Sequence, residues 1–72
     1  MADLQRARLA KSRLREHLHG ASGVCGVGVV PQRDGWAVRV NVTEESDRAG
    51  VPREVAGVEV EVRVVGSIRA GA

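Results

Sequence analysis

The chain has few of the large side chains on which small protein cores usually depend. None of its 72 residues is Phe or Tyr, and only one is Trp. A core must therefore be built from β-branched side chains, each of which buries little area. A single domain spanning residues 1–72 removes only about 60% of its unfolded surface from water. We therefore expect a thin margin of stability, to which association with a second copy or a larger protein would add.

Residues that bind metals or carry out catalysis are also scarce. The single cysteine, Cys25, cannot form an internal disulfide, and we expect it to be a small buried apolar residue. His17 and His19 are two residues apart, so on a helix they point to nearly opposite sides and make a poor zinc site. No serine, histidine or aspartate has the spacing of a catalytic group. We expect no enzyme activity, no cofactor, no metal and no small-molecule substrate.

Long apolar runs are absent as well. No stretch approaches the roughly 20 residues that a membrane helix needs. The first 20 residues are charged and periodic, unlike a secretory signal peptide. We therefore expect a cytoplasmic protein without a membrane partner.

The most regular segment of the chain is residues 35–43. Apolar Trp36, Val38, Val40 and Val42 alternate with smaller or polar residues, which is the period of a strand with one buried face. Residues 58–65 repeat this alternation, with charged residues between the valines. We expect the valine face to form the core, with Trp36 on it. A stacking platform for a base is the alternative for Trp36. The opposite face should be charged and hydrated, carrying Arg39, Glu59, Glu61 and Arg63.

An amphipathic helix is predicted before these strands. Asp3 is a good N-cap and Gly20 suits the left-handed residue that closes a helix. An apolar stripe between them should cover the valine face, with Lys11 lying inside it; its members are Leu4, Ala7, Leu14 and Leu18. Leu9 falls off this stripe, where it is either an ordinary exposed leucine or a contact for a partner.

Three further segments connect or extend these elements. Residues 24–30 predict a strand, joined to the next by a hairpin turn that ends in Asp34-Gly35. Gly26 and Gly28 have no side chains, so another chain could lie close against this part of the strand. They do not form a dinucleotide loop, because a third glycine and a following helix are missing.

Residues 44–50 predict a mobile polar loop, and Pro52 to Gly57 one short helical turn. Ile68 alone in the tail has a reason to be packed.

The fold class that follows is α+β. We expect one N-terminal amphipathic helix packed on a three-stranded, mostly antiparallel sheet. The place of the third strand stays open, because its connection is long enough either to reverse or to cross over.

Parts of this pattern are similar to the segment that opens a group of bacterial trypsin-like serine peptidase proteins. The resemblance covers about residues 14–70 and includes Gly26-Val27-Gly28-Val29, Asp34-Gly35, residues 51–60 and residues 65–70. No position matches the histidine, aspartate or serine motifs of that family, so the resemblance implies an accessory module without catalytic residues. A weaker likeness, at Gly35, Trp36 and Pro52, is to gas-vesicle accessory proteins.

Three functions are compatible with the sequence. The first is a protein-interaction module that forms a homo-oligomer or docks on a larger protein, with Leu9, Gly26 and Gly28 as candidate contacts. The second is a nucleic-acid-binding protein. Residues 1–20 hold five bases and two acids, and the candidate phosphate contacts are Arg6, Arg8, Arg13 and Arg15. Stacking aromatics are nearly absent, which disfavours it. The third, a regulator of a separately encoded peptidase, is implied by the resemblance alone.

Overall fold

A helix lies on one face of a four-stranded mixed sheet in the computed structural model, which describes residues 3–66. The predicted α+β class is confirmed. The elements in chain order are α1 (Leu4–His17), β1 (Val24–Gln32), β2 (Gly35–Val42), a 3₁₀ helix (Glu45–Gly50), β3 (Glu54–Val55) and β4 (Val58–Val64). The predicted packing of Ile68 lies outside the described residues.

Helix α1 begins and ends close to the predicted positions. The Asp3 carboxylate accepts a hydrogen bond from the backbone N–H of Arg6 at 2.7 Å, which confirms the N-cap. The helix ends at His17, and Gly20 has a φ of 85°, the left-handed conformation expected of the closing residue. The predicted stripe packs on the sheet. Ala7, Leu14 and Leu18 of this stripe are buried, whereas Leu4 and Lys11 are half-buried; Ala10, which the prediction did not include, is buried as well.

The sheet has the strand order β1-β2-β4-β3. Strands β1 and β2 form the predicted antiparallel hairpin, joined by a two-residue turn at Arg33-Asp34. Strand β4 pairs with β2 in parallel, with Val38 opposite Val60 and Val42 opposite Val64. The prediction of a mostly antiparallel sheet is confirmed, since two of its three strand pairings are antiparallel, but the predicted three strands are corrected to four. Strand β4, whose place the sequence left open, lies parallel beside β2.

The segment between β2 and β4 explains both the fourth strand and the parallel pairing. A parallel partner requires the chain to return to the other end of the sheet, and residues 43–57 make that return. The predicted mobile loop contains the 3₁₀ helix, where Asp47 accepts hydrogen bonds from the Thr43 hydroxyl at 3.0 Å and the Glu44 N–H at 3.1 Å. The predicted helical turn after Pro52 is instead strand β3, and a tight turn at Ala56-Gly57 joins it antiparallel to β4.

The valine face forms the core, as predicted. Val38, Val40, Val42 and Val58 are fully buried beneath α1. Trp36 is half-buried and packs against this cluster, so the structure favours its role in the core. The residues of β2 and β4 with the opposite parity lie on the sheet face that α1 does not cover, which we call the outer face.

The prediction that Cys25 is buried is wrong. The pairing of β1 with β2 shifts between Val24 and Gly26, so a β-bulge at Cys25 adds one unpaired residue to the strand. The bulge lets Val24 and Val27 both pack against the core although they are three residues apart. Cys25 is left exposed as the extra residue.

Candidate functional site

Strand β1 forms one edge of the sheet. It is nine residues long, and within residues 3–66 its ladder partner is β2 alone. The opposite edge is different, because the two-residue strand β3 covers the beginning of β4 there. A long edge strand presents a row of backbone donors and acceptors to which another chain can pair. The free edge of β1 is therefore the first candidate for a binding surface.

The hydrogen bonds of β2 identify the backbone groups of β1 that point to the free edge. The carbonyl of Val42 accepts a hydrogen bond from the N–H of Val65 at 2.9 Å, so Val42 directs its backbone groups away from β1. Directions alternate along a strand, so Val40 and Val38 do the same. Their partners across the ladder are Val27 and Val29. These two residues consequently direct their N–H and C=O groups away from β2, to the free edge.

The middle of this edge is small and uncharged. No residue from Val24 to Gln32 is charged. Gly26 and Gly28 lie on the outer face, where a Cβ at Gly28 would meet nothing within 4 Å and one at Gly26 only the Asn41 amide nitrogen at 4.0 Å. Pro31 is placed where its missing N–H would point to the free edge, so the ladder with β2 loses no bond. Pro31 and the bulge at Cys25 thus limit the open stretch to residues 26–30.

The rest of the outer face carries the predicted charged residues, and a network of side-chain contacts includes three of them, Arg39, Glu59 and Glu61. The Gln32 side-chain amide donates to Glu59 at 2.6 Å and to Glu61 at 3.0 Å, so it reaches from β1 across β2 to β4. Arg39 and Glu61 form an ion pair at 3.3 Å with both side chains about one-third exposed. Such a pair contributes at most about 1 kcal/mol. Ala37 lies on this face yet is fully buried. Its burial shows that this part of the face is already covered by the chain's own side chains.

Leu9 lies on a different surface from the two glycines. Its side chain is 43% exposed on α1. The helix covers the core face of the sheet, whereas Gly26 and Gly28 belong to the outer face. The three candidate contacts are therefore not brought together, and a single flat partner surface cannot touch all of them.

The four arginines of α1 also divide into two groups. Arg6 and Arg13 are seven residues apart, two turns of helix, and lie along one flank. Arg8 and Arg15 have the same spacing, but they are about 200° around the axis from the first pair and lie along the other flank. The Arg6 guanidinium donates to the Ala56 carbonyl at 3.4 Å. The arginines therefore do not form one continuous phosphate-binding face.

Metal-binding side chains are not clustered in the part of the chain that the structure describes, where no three His, Cys, Asp or Glu residues could hold one ion. Within the same residues, no helix combines the length and apolar character needed to cross a membrane. Comparison of the chain with protein-family models, with curated proteins and with solved structures finds no match. The candidate site therefore depends on geometry alone.

Proposed function

We propose that this chain is a non-catalytic protein-interaction module that binds by adding a strand to the free edge of β1. The observation that supports the proposal most directly is the outward direction of the backbone groups of Val27 and Val29. In strand addition these groups supply the affinity, since each N–H and C=O on the edge pairs with the backbone of the incoming chain.

Among residues 3–66 nothing protects the edge in the middle of β1, which supports the same function. Proteins usually protect a long edge by charged side chains, proline, bulges or a covering element. Here the proline and the bulge lie at the two ends of the strand. Residues 26–30 between them carry neither a charge nor a bulky outer side chain except Val30. An incoming strand would meet hydrogen-bonding groups there, with no charged side chain on the strand itself to oppose it.

Self-association is the first form of binding to test, because it needs no other molecule. We expect sedimentation velocity on the purified chain to show a mass that rises with concentration. Gly28→Lys should raise the concentration needed for association at least tenfold, because a charged side chain on an edge strand opposes pairing with another strand. Ser12→Lys is the matched control, since it adds the same charge at an exposed position of α1. It should leave association unchanged.

A larger protein partner would use the same edge. A synthetic peptide with the sequence of residues 24–32 serves as the probe for a foreign strand, and its binding should shift the amide resonances of Val27 and Val29 first. A chain that stays monomeric at all concentrations and does not bind this peptide would contradict the proposal. Retention of short oligonucleotides at low salt by such a monomer would favour the nucleic-acid alternative. Co-purification with a peptidase through β1 would identify the regulator named by the resemblance.

A further inference from the structure

We infer that the strand added to β1 is β1 of a second copy, antiparallel, with a two-fold axis through Gly28. This inference rests on the proposed function and specifies its partner and register. It joins two sheets into one of eight strands, in which both α1 helices lie on the same face. The order of strands would be β3-β4-β2-β1 followed by the same four in reverse.

The register follows from the outward backbone groups. An axis at Gly28 places Val27 of one copy opposite Val29 of the other. Both residues direct their N–H and C=O groups to this edge, so each of the two symmetric pairs exchanges two hydrogen bonds. The interface between the two strands then contains four hydrogen bonds, and every backbone N–H and C=O of Val27 and Val29 has a partner.

Neighbouring registers pair these groups less completely. An axis at Val29 would place Val27 opposite Pro31 of the second copy, and the Val27 carbonyl would then face a residue without an N–H. An axis at Val27 would place Val29 opposite Cys25, where the bulge interrupts the regular strand. A buried backbone group without a partner is unfavourable. The Gly28 register places Pro31 of one copy opposite Cys25 of the other, so both irregularities fall outside the hydrogen-bonded pairs of Val27 and Val29.

Side chains fit the same register. On the outer face Gly28 lies opposite Gly28, and Val30 lies opposite Gly26 of the second copy. The valine therefore meets a position where the glycine leaves open space. No charged residue of either strand faces another between residues 24 and 32. The edge is thus complementary to itself, which is the requirement of a two-fold interface.

Disulfide trapping tests the register. Gly28→Cys is made in a Cys25→Ser background. In a non-hydrogen-bonded antiparallel pair the Cα atoms are about 4.5 Å apart, within the range of a disulfide. Gly26→Cys in the same background is the matched control, because its two copies would lie four residues apart along the strand, about 13 Å. Under mild oxidation we expect Gly28→Cys to form a covalent dimer at least tenfold faster than Gly26→Cys.

Other outcomes separate this inference from the proposed function. Equal trapping rates, or faster trapping of Gly26→Cys, would overturn the Gly28 register while a concentration-dependent mass still supported the module. A monomer that binds the peptide of residues 24–32 in a different register, seen in cross-links from the same cysteine variants, would also overturn it. A chain that neither associates nor binds the peptide would overturn both.

Discussion

The packing of α1 on the sheet can be tested by comparing two leucines on the same helix. Leu14 is fully buried and is the largest fully buried side chain among residues 3–66, whereas Leu9 is 43% exposed. Truncation of a buried leucine to alanine typically costs about 3–5 kcal/mol, through lost burial and the cavity left behind. An exposed leucine away from such features costs within about 0.5 kcal/mol. Leu14→Ala and Leu9→Ala remove the same atoms, so they isolate burial.

The expected loss is large compared with the stability of the whole chain. At about 0.05–0.15 kcal/mol per residue, a domain of this size is stable by about 4–11 kcal/mol. A loss of about 3 kcal/mol would lower the midpoint of thermal unfolding by about 12–24 °C. Leu14→Ala should therefore unfold about 12–24 °C below the parent chain, while Leu9→Ala should unfold within a few degrees of it.

Urea denaturation followed by the fluorescence of Trp36, the only tryptophan, gives the free energy of unfolding directly. All three proteins are compared at one low concentration, because association would add stability to each. Equal losses for the two variants, or a larger loss for Leu9→Ala, would refute the packing of α1 described above. A loss of association in Leu9→Ala without a loss of stability would instead place a partner on the exposed helix face.

Substitutions at three further positions, Gly23, Ala56 and Cys25, test local features of the fold. Gly23→Ala should lower the free energy of unfolding by about 1–3 kcal/mol, because its methyl group would displace the Asp47 carboxylate from its hydrogen bonds. Gly28→Ala is the control, and its free energy of unfolding in urea should equal that of the parent chain. Ala56 has a left-handed φ of 52°, which asparagine tolerates better than alanine. Ala56→Asn should therefore raise the free energy of unfolding by up to about 1 kcal/mol and with it the thermal midpoint; a lower midpoint would contradict this. Cys25→Ser should change stability by less than about 0.5 kcal/mol, and the thiol of the folded parent should react with Ellman's reagent nearly as fast as in urea; strong protection would mean a buried cysteine.

Alternation along the valine strands was sufficient to predict the core. Val38, Val40 and Val42 share one parity and are all fully buried, because a strand with one covered face admits no other arrangement. The N-cap at Asp3 was equally predictable, since it depends only on its neighbours in the chain. These features are local or strictly periodic, and sequence reasoning is strongest for them.

Features that depend on pairing could not be predicted in the same way. The bulge at Cys25 is an irregularity in how β1 meets β2, and parity counting assumes that no such irregularity occurs. The turn at Ala56-Gly57 has only half of the usual sequence signal, because glycine suits a left-handed position whereas alanine rarely adopts one. The parallel pairing of β2 with β4 depends on the path of residues 43–57, which composition does not determine.

The candidate site was predicted in part. The small residues Gly26 and Gly28 were visible in the sequence, but their place on a free edge requires the strand order. The two flanks of arginines are a different matter, because the seven-residue spacing of Arg6 with Arg13 and of Arg8 with Arg15 would have separated them on any helix. The sequence alone was therefore sufficient to divide the four candidate phosphate contacts into two groups.

Amide hydrogen exchange along β1 tests the free edge most directly. In dilute solution the N–H groups of Val27 and Val29 should exchange quickly, while those of Gly28 and Val30, bonded to β2, should be protected. At high concentration, Val27 and Val29 should gain protection as the second strand adds. Exchange that does not alternate along β1 when dilute, or that stays unchanged at Val27 and Val29 when the chain associates, would contradict the proposed edge.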